Sequence, residues 1–225
     1  MLILLDTANL EKIKRLNDLY PLDGVTTNPS IISKENKDFL ELLAEIRNII
    51  GEDKMLHAQV LSTKAEEMIE EAEFLAKKFG ENLYIKIPVI PEGIKAIKNL
   101  SKQGVKITAT AVFTPQQAFM AAKAGADFVA PYVNRLDNIS ADGIKVVAEI
   151  IELFKVHRLD TKVIAASFKN INQIHQCLLQ GSQAVTANPD LIEKLVYHPM
   201  TNLGVEGFIA DWERVYGEGK KVNNL

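Results

Sequence analysis

The chain has 225 residues, 47% hydrophobic and 24% charged, a balance that supplies a sizeable core and excludes disorder, collagen and coiled coil. Its formal net charge is −3, so no global cationic field exists to hold nucleic acid or an anionic membrane, and small molecules are the expected partners. A lone cysteine, Cys177, cannot close an intrachain disulfide, and the opening apolar run stops at Asp6, short of a signal or spanning segment, so a cytoplasmic location is expected.

Along the chain, short β-branched apolar runs alternate with longer segments of helical spacing. A strand over 2–6 is followed by a helix over 9–19, a strand over 24–27 by a helix over 36–50, and a strand over 55–60 by a helix over 63–79. Strands over 83–88, 105–111, 128–133, 162–167 and 183–187 are followed in turn by helices over 92–102, 115–124, 141–157, 170–180 and 189–197. Asn9, Thr63, Thr114 and Asn188 are candidate helix caps. Eight such units imply right-handed βαβ crossovers and a single (β/α)₈ barrel, trimmed relative to the roughly 250 residues usual for that fold. An open doubly wound sheet is the alternative, but the first βα turn lacks G-x-G-x-x-G.

No Gly/Ser/Pro-rich stretch divides the chain, so residues 1–203 are expected to form one barrel domain. A surplus helix over 204–216 carries an apolar stripe of Val205, Phe208, Ile209, Trp212 and Val215. It is expected to cover its own barrel or to lie on a neighbouring subunit, and residues 217–225 are expected to fray.

Barrel chemistry is built at the carboxyl ends of the strands. Those ends carry Asp6, then Thr26 and Asn28, then Gln59, Lys86, Thr110, the Tyr132 and Arg135 pair, and Ser167. Lys86 stands between Ile85 and Ile87, where either face of the strand disfavours an ammonium. A lysine partly neutral near pH 7 attacks carbonyls to give a Schiff base; the competing reading is a lysine paired with a carboxylate or snorkelling to a rim. Asp6 could equally cap the first helix, although Asn9 can do so instead. A lysine, a carboxylate, a phenol and several neutral hydrogen-bonders at one mouth suit imine chemistry. No H-E-x-x-H, C-x-x-C or G-x-x-x-x-G-K-[ST] occurs, and His57, His157, His175 and His198 are scattered singly, so no metal site or nucleotide loop is expected.

Four segments carry a resemblance: Val25-Thr26-Thr27-Asn28-Pro29-Ser30, Ile85-Lys86-Ile87-Pro88, Ala130-Pro131-Tyr132-Val133-Asn134-Arg135 and Ala165-Ala166-Ser167-Phe168. They resemble the motifs of the small transaldolase family, and within it the fructose-6-phosphate aldolase branch. The resemblance implies class I aldol chemistry without metal or other cofactor on a trimmed barrel, acting on sugar phosphates and dihydroxyacetone in carbohydrate metabolism. It implies Lys86 as the Schiff-base lysine, Asp6 as the carboxylate that binds the donor, and Thr26, Asn28 and Ser167 as donor-site residues. Arg135, aided by Lys169, would read phosphate, and Gln59, Thr110 and Tyr132 would hold a catalytic water. Where the transaldolases of the family have glutamate and phenylalanine, this chain has Gln59 and Tyr132, which implies the aldolase branch. Glutamine cannot titrate but a phenol can, so Tyr132 would pass the proton. A transaldolase and a non-catalytic sugar-phosphate-binding barrel are the alternatives. The resemblance also implies a homo-oligomer: the C-terminal helix crosses to the next subunit in a ring of five, and two rings stack into a decamer.

Overall fold

A computed structural model describes all 225 residues. Eight strands close a parallel barrel in chain order, β1 (Leu2–Asp6), β2 (Gly24–Thr26), β3 (Met55–Gln59), β4 (Leu83–Pro88), β5 (Ile107–Val112), β6 (Phe128–Pro131), β7 (Lys162–Ala165) and β8 (Ala184–Ala187). β8 pairs back onto β1, so the barrel leaves no sheet edge exposed. The first crossovers supply α1 (Leu10–Leu19), α2 (Pro29–Ile32), α3 (Phe39–Ile50), α4 (Ala65–Phe79) and α5 (Pro91–Leu100). The rest are α6 (Pro115–Ala124), α7 (Val133–Asp137), α8 (Gly143–Val156), α9 (Ile171–Leu179) and α10 (Pro189–Lys194). The expected (β/α)₈ barrel is therefore what forms, with the short α2 and α7 as additions that the periodicity did not signal.

Local chemistry fixes the helix starts. The Asn9 and Asn188 side chains accept from the backbone N–H groups of Lys12 and Leu191, and Thr114 makes a full capping box with Gln117 ahead of Pro115. Thr63, expected as a cap, is not one. Lys64 occupies the cap position of α4 without a side-chain bond, and the Ala65 N–H is taken by Glu92 Oε2 at 2.9 Å. Glycine is demanded where α5 meets the end of β4: a Cβ on Gly93 would lie 1.9 Å from the Pro88 carbonyl oxygen.

Strand alternation sends one face of each strand inward. Low in the barrel the inward set is apolar, with Leu4, Phe128, Ala130, Ile164 and Ala184 in one cluster. Above it the set turns polar. His57, fully buried, stacks on Tyr84 with ring centroids 4.8 Å apart, and its Nδ1 lies 3.0 Å from Thr108 Oγ1. His57 Nε2 is buried without a partner.

Residues 192–225 form a separate unit. Its helix α11 (Pro199–Tyr216) begins at Pro199, with His198 Nδ1 accepting from the Met200 N–H. Phe208 is 75% exposed and Val215 69%, and Val205 and Ile209 are half exposed. No helix in the chain is long and apolar enough to cross a membrane.

Burial holds the His57 imidazole well below its ordinary value, and the nearby Lys86 ammonium pushes the same way. The unfolded chain protonates this residue near pH 6.5, while the folded chain does not. Stability from this source is therefore intact above about pH 6.5 and declines below it, by up to about 1.4 kcal/mol per pH unit. His57→Phe, which retains a ring against Tyr84, should flatten the fall in urea midpoint between pH 7 and pH 5. Parallel falls in parent and variant would show that another group titrates.

Candidate active site

The polar mouth of the barrel is assembled from residues on or just beyond all eight strands, around a cavity of about 130 Å³. Asp6, Thr26, Asn28, Lys86, Tyr132, Arg135 and Ser167 all line it. Lys86 is only 6% exposed, and its Nζ donates to the Thr27 backbone oxygen at 2.6 Å. It is neither ion-paired nor at a rim, so both structural alternatives for this lysine fail.

On the opposite wall a relay of hydroxyls serves the carboxylate. Thr26 Oγ1 is 2.7 Å from Asp6 Oδ1 and 2.6 Å from Thr186 Oγ1. Thr26 has one proton to give, and the carboxylate takes it, so Thr186 donates to Thr26. Asp6 is thus held as an acceptor facing the cavity rather than as a helix cap, which Asn9 provides.

Tyr132 lies one residue beyond β6, in the cap position of α7. Its phenol oxygen is 2.9 Å from Thr110 Oγ1, and the Arg135 guanidinium stands 4.8 Å over its ring. A bulge between Ala109 and Val112 makes the Thr110 contact possible. Ala111 there adopts φ 58°, which adds a residue to β5 before pairing resumes at Pro131. Ser167 on the other side of Tyr132 is also left-handed, at φ 63°, an uncommon conformation for residues other than glycine and one that clusters at functional sites.

Two expected members stand apart. Gln59 pairs in register with Lys86, but its amide bonds neither Thr110 nor Tyr132 and instead lines an adjoining apolar groove with Phe39, Leu61 and Phe74. Lys169 is exposed beyond Ser167 and lines neither recess. Conversely, His57, Thr108 and Thr186 line the cavity without having been singled out as site residues. Each is an inward position on its strand, and His57 and Thr108 sit two residues before Gln59 and Thr110, so strict period-two counting locates those two. Cys177 is no competing nucleophile, since burial pushes its thiol up to about 12.

Among solved structures the fold resembles one described as "Native KDPGal structure", with a TM-score of 0.59 and 15% identity over 88% of this chain and 84% of that one. Closer kinship is in sequence. A protein of Geobacillus thermodenitrificans named "Probable transaldolase" is 43% identical over 95% of this chain and 99% of its own. Proteins of the same name from Methanococcus maripaludis and Nitrosopumilus maritimus are 44% and 40% identical, over 95% and 99% of this chain and 98% and 99% of their own. The sequence profile described as "Transaldolase/Fructose-6-phosphate aldolase" matches residues 3–219, nearly the whole barrel and the helix beyond it. With that span matched, the chain belongs to the Transaldolase/Fructose-6-phosphate aldolase family, a family of aldolase-type enzymes.

Proposed function

We propose that this enzyme reversibly cleaves fructose 6-phosphate to dihydroxyacetone and glyceraldehyde 3-phosphate through a Schiff base on Lys86. The observation that carries the proposal is the buried amine of Lys86, without a carboxylate partner, opening on a cavity it shares with Asp6 and Tyr132. The Lys86 ammonium lends a proton to a neighbouring acceptor, the freed amine attacks the C2 ketone, and return of that proton to the carbinolamine hydroxyl expels water and leaves a protonated iminium, which acts as the electron sink. The C3–C4 bond then breaks into it, leaving an enamine, while the C4 hydroxyl gives its proton to a water held by Gln59, Thr110 and Tyr132. The aldehyde leaves with its phosphate on Arg135. The Tyr132 phenol returns a proton through that water to C3, and hydrolysis at C2 frees dihydroxyacetone and the lysine. Asp6, held as an acceptor by Thr26, binds the donor hydroxyl beside the imine.

The second reading is transfer of the three-carbon unit to another sugar phosphate, favoured by the name of the relatives, "Probable transaldolase". Cleavage is preferred here because Gln59 cannot titrate whereas Tyr132, bonded to Thr110, can. The buried single cysteine fits a reducing, cytoplasmic setting. For assembly, the exposed apolar stripe of α11 supports packing on a neighbouring copy. A five-membered ring stacked into a decamer is the form proposed, on family resemblance.

Four outcomes are expected. Borohydride with dihydroxyacetone should leave a reduced adduct on the peptide bearing Lys86, and Lys86→Met should abolish it; an adduct elsewhere overturns the mechanism. Supplied with fructose 6-phosphate alone, Tyr132→Phe should release dihydroxyacetone about 10²–10⁴-fold more slowly while still forming the imine. In the same assay with erythrose 4-phosphate added, Gln59→Glu should raise transfer relative to cleavage. Cleavage that survives Tyr132→Phe would assign the proton to another group. Finally, deleting residues 199–225 should yield smaller species by light scattering, with a lower melting temperature; an unchanged mass would place the contact elsewhere.

A further inference from the structure

Arg135 is expected to bind phosphate, and it also stands over the Tyr132 ring. The residue lies three positions after Tyr132 on the first turn of α7, the spacing at which helical side chains meet. Its guanidinium carbon stands 4.8 Å over the phenol ring. Phe113 closes the ring from the side, edge-on with centroids 5.6 Å apart.

The segment that carries both residues is firmly tied. The Asn134 N–H donates to the Ser167 carbonyl at 2.8 Å, and the two carboxylate oxygens of Asp137 accept from Gln173 Nε2 at 2.6 Å and from the Gly143 N–H at 2.9 Å. Arg135 itself is exposed and makes no hydrogen bond or ion pair. A guanidinium stacks through its face and bonds anions through its edge, so covering the ring leaves its N–H donors available.

We propose that Arg135 is a positioning residue for Tyr132: its cation covers the open face of the phenol ring and holds the Oη on Thr110, where the proton relay needs it. The role is separate from phosphate binding and operates before any phosphate arrives. The inference rests on the Schiff-base reading above.

A reaction of the donor alone tests it. In deuterium oxide, dihydroxyacetone should exchange its carbon-bound hydrogens as the enamine forms and is protonated again, a process followed by proton NMR with no aldehyde or phosphate present. Arg135→Met, which retains the aliphatic stem and removes the cation, should slow exchange about two- to fivefold, the range of an exposed cation–π contact. Arg135→Lys restores a cation over the ring and should recover most of the loss. In a Tyr132→Phe background, Arg135→Met should add no further effect, and borohydride should trap the Lys86 adduct equally in every variant. Exchange at the parent rate in Arg135→Met overturns the inference, as does an equal further loss in the Tyr132→Phe background or loss of the adduct along with exchange. Absence of both adduct and exchange in the unaltered chain instead overturns the Schiff-base reading, and the inference with it.

Discussion

A closed parallel barrel leaves little room for bulk water on its axis, so a polar side chain directed inward must find its partner on another strand. That constraint organises this molecule from the middle of the barrel upward. His57 on β3 meets Thr108 on β5, Thr26 on β2 meets Thr186 on β8, and Lys86 on β4 reaches across to the Thr27 carbonyl. These bonds are also what hold the cavity groups in place. Each ties strands two apart around the barrel, at the level where the apolar layer of Leu4, Phe128 and Ile164 gives way to polar groups.

The same constraint separates chemistry by height. Just above the apolar layer a histidine is kept neutral by burial and by the nearby lysine. Higher up, Asp6 has hydroxyl company and partial exposure, and the Tyr132 hydroxyl is hydrogen-bonded to that of Thr110. Lys86, Asp6 and Tyr132 thus line one small cavity.

Much of this was legible in the sequence because the signals were redundant. The strand over Leu83–Pro88 and the helix over Pro115–Ala124 were bounded correctly, since proline, glycine and a capping threonine punctuate them. β6 was read two residues too long: Tyr132 and Val133 continue an apolar, strand-favouring run, but the chain turns after Pro131 into α7. One-turn elements such as α2 are shorter than any period and so escape it, although Asn28 before Pro29 is a cap signal. At the site, Lys86 and Asp6 could be found because strand ends are where chemistry collects. His57 is one of four scattered histidines in the sequence, and single residues carry no pattern until their strand register is known. Lys169, expected from the family resemblance, is exposed and does not line the cavity, a placement that no local pattern signals.

The left-handed residues Ala111 and Ser167 lie on the two strands' ends that flank Tyr132, and neither is a glycine. Such a conformation costs roughly 1–2 kcal/mol for a residue with a Cβ, so the pair withholds about 2–4 kcal/mol from a folding free energy that is commonly only 5–15 kcal/mol. Heat resistance in this chain is therefore limited at the mouth of the barrel as well as by its core. A more heat-tolerant form is reachable by relaxing two backbone torsions, but only by loosening the frame around the Tyr132 phenol.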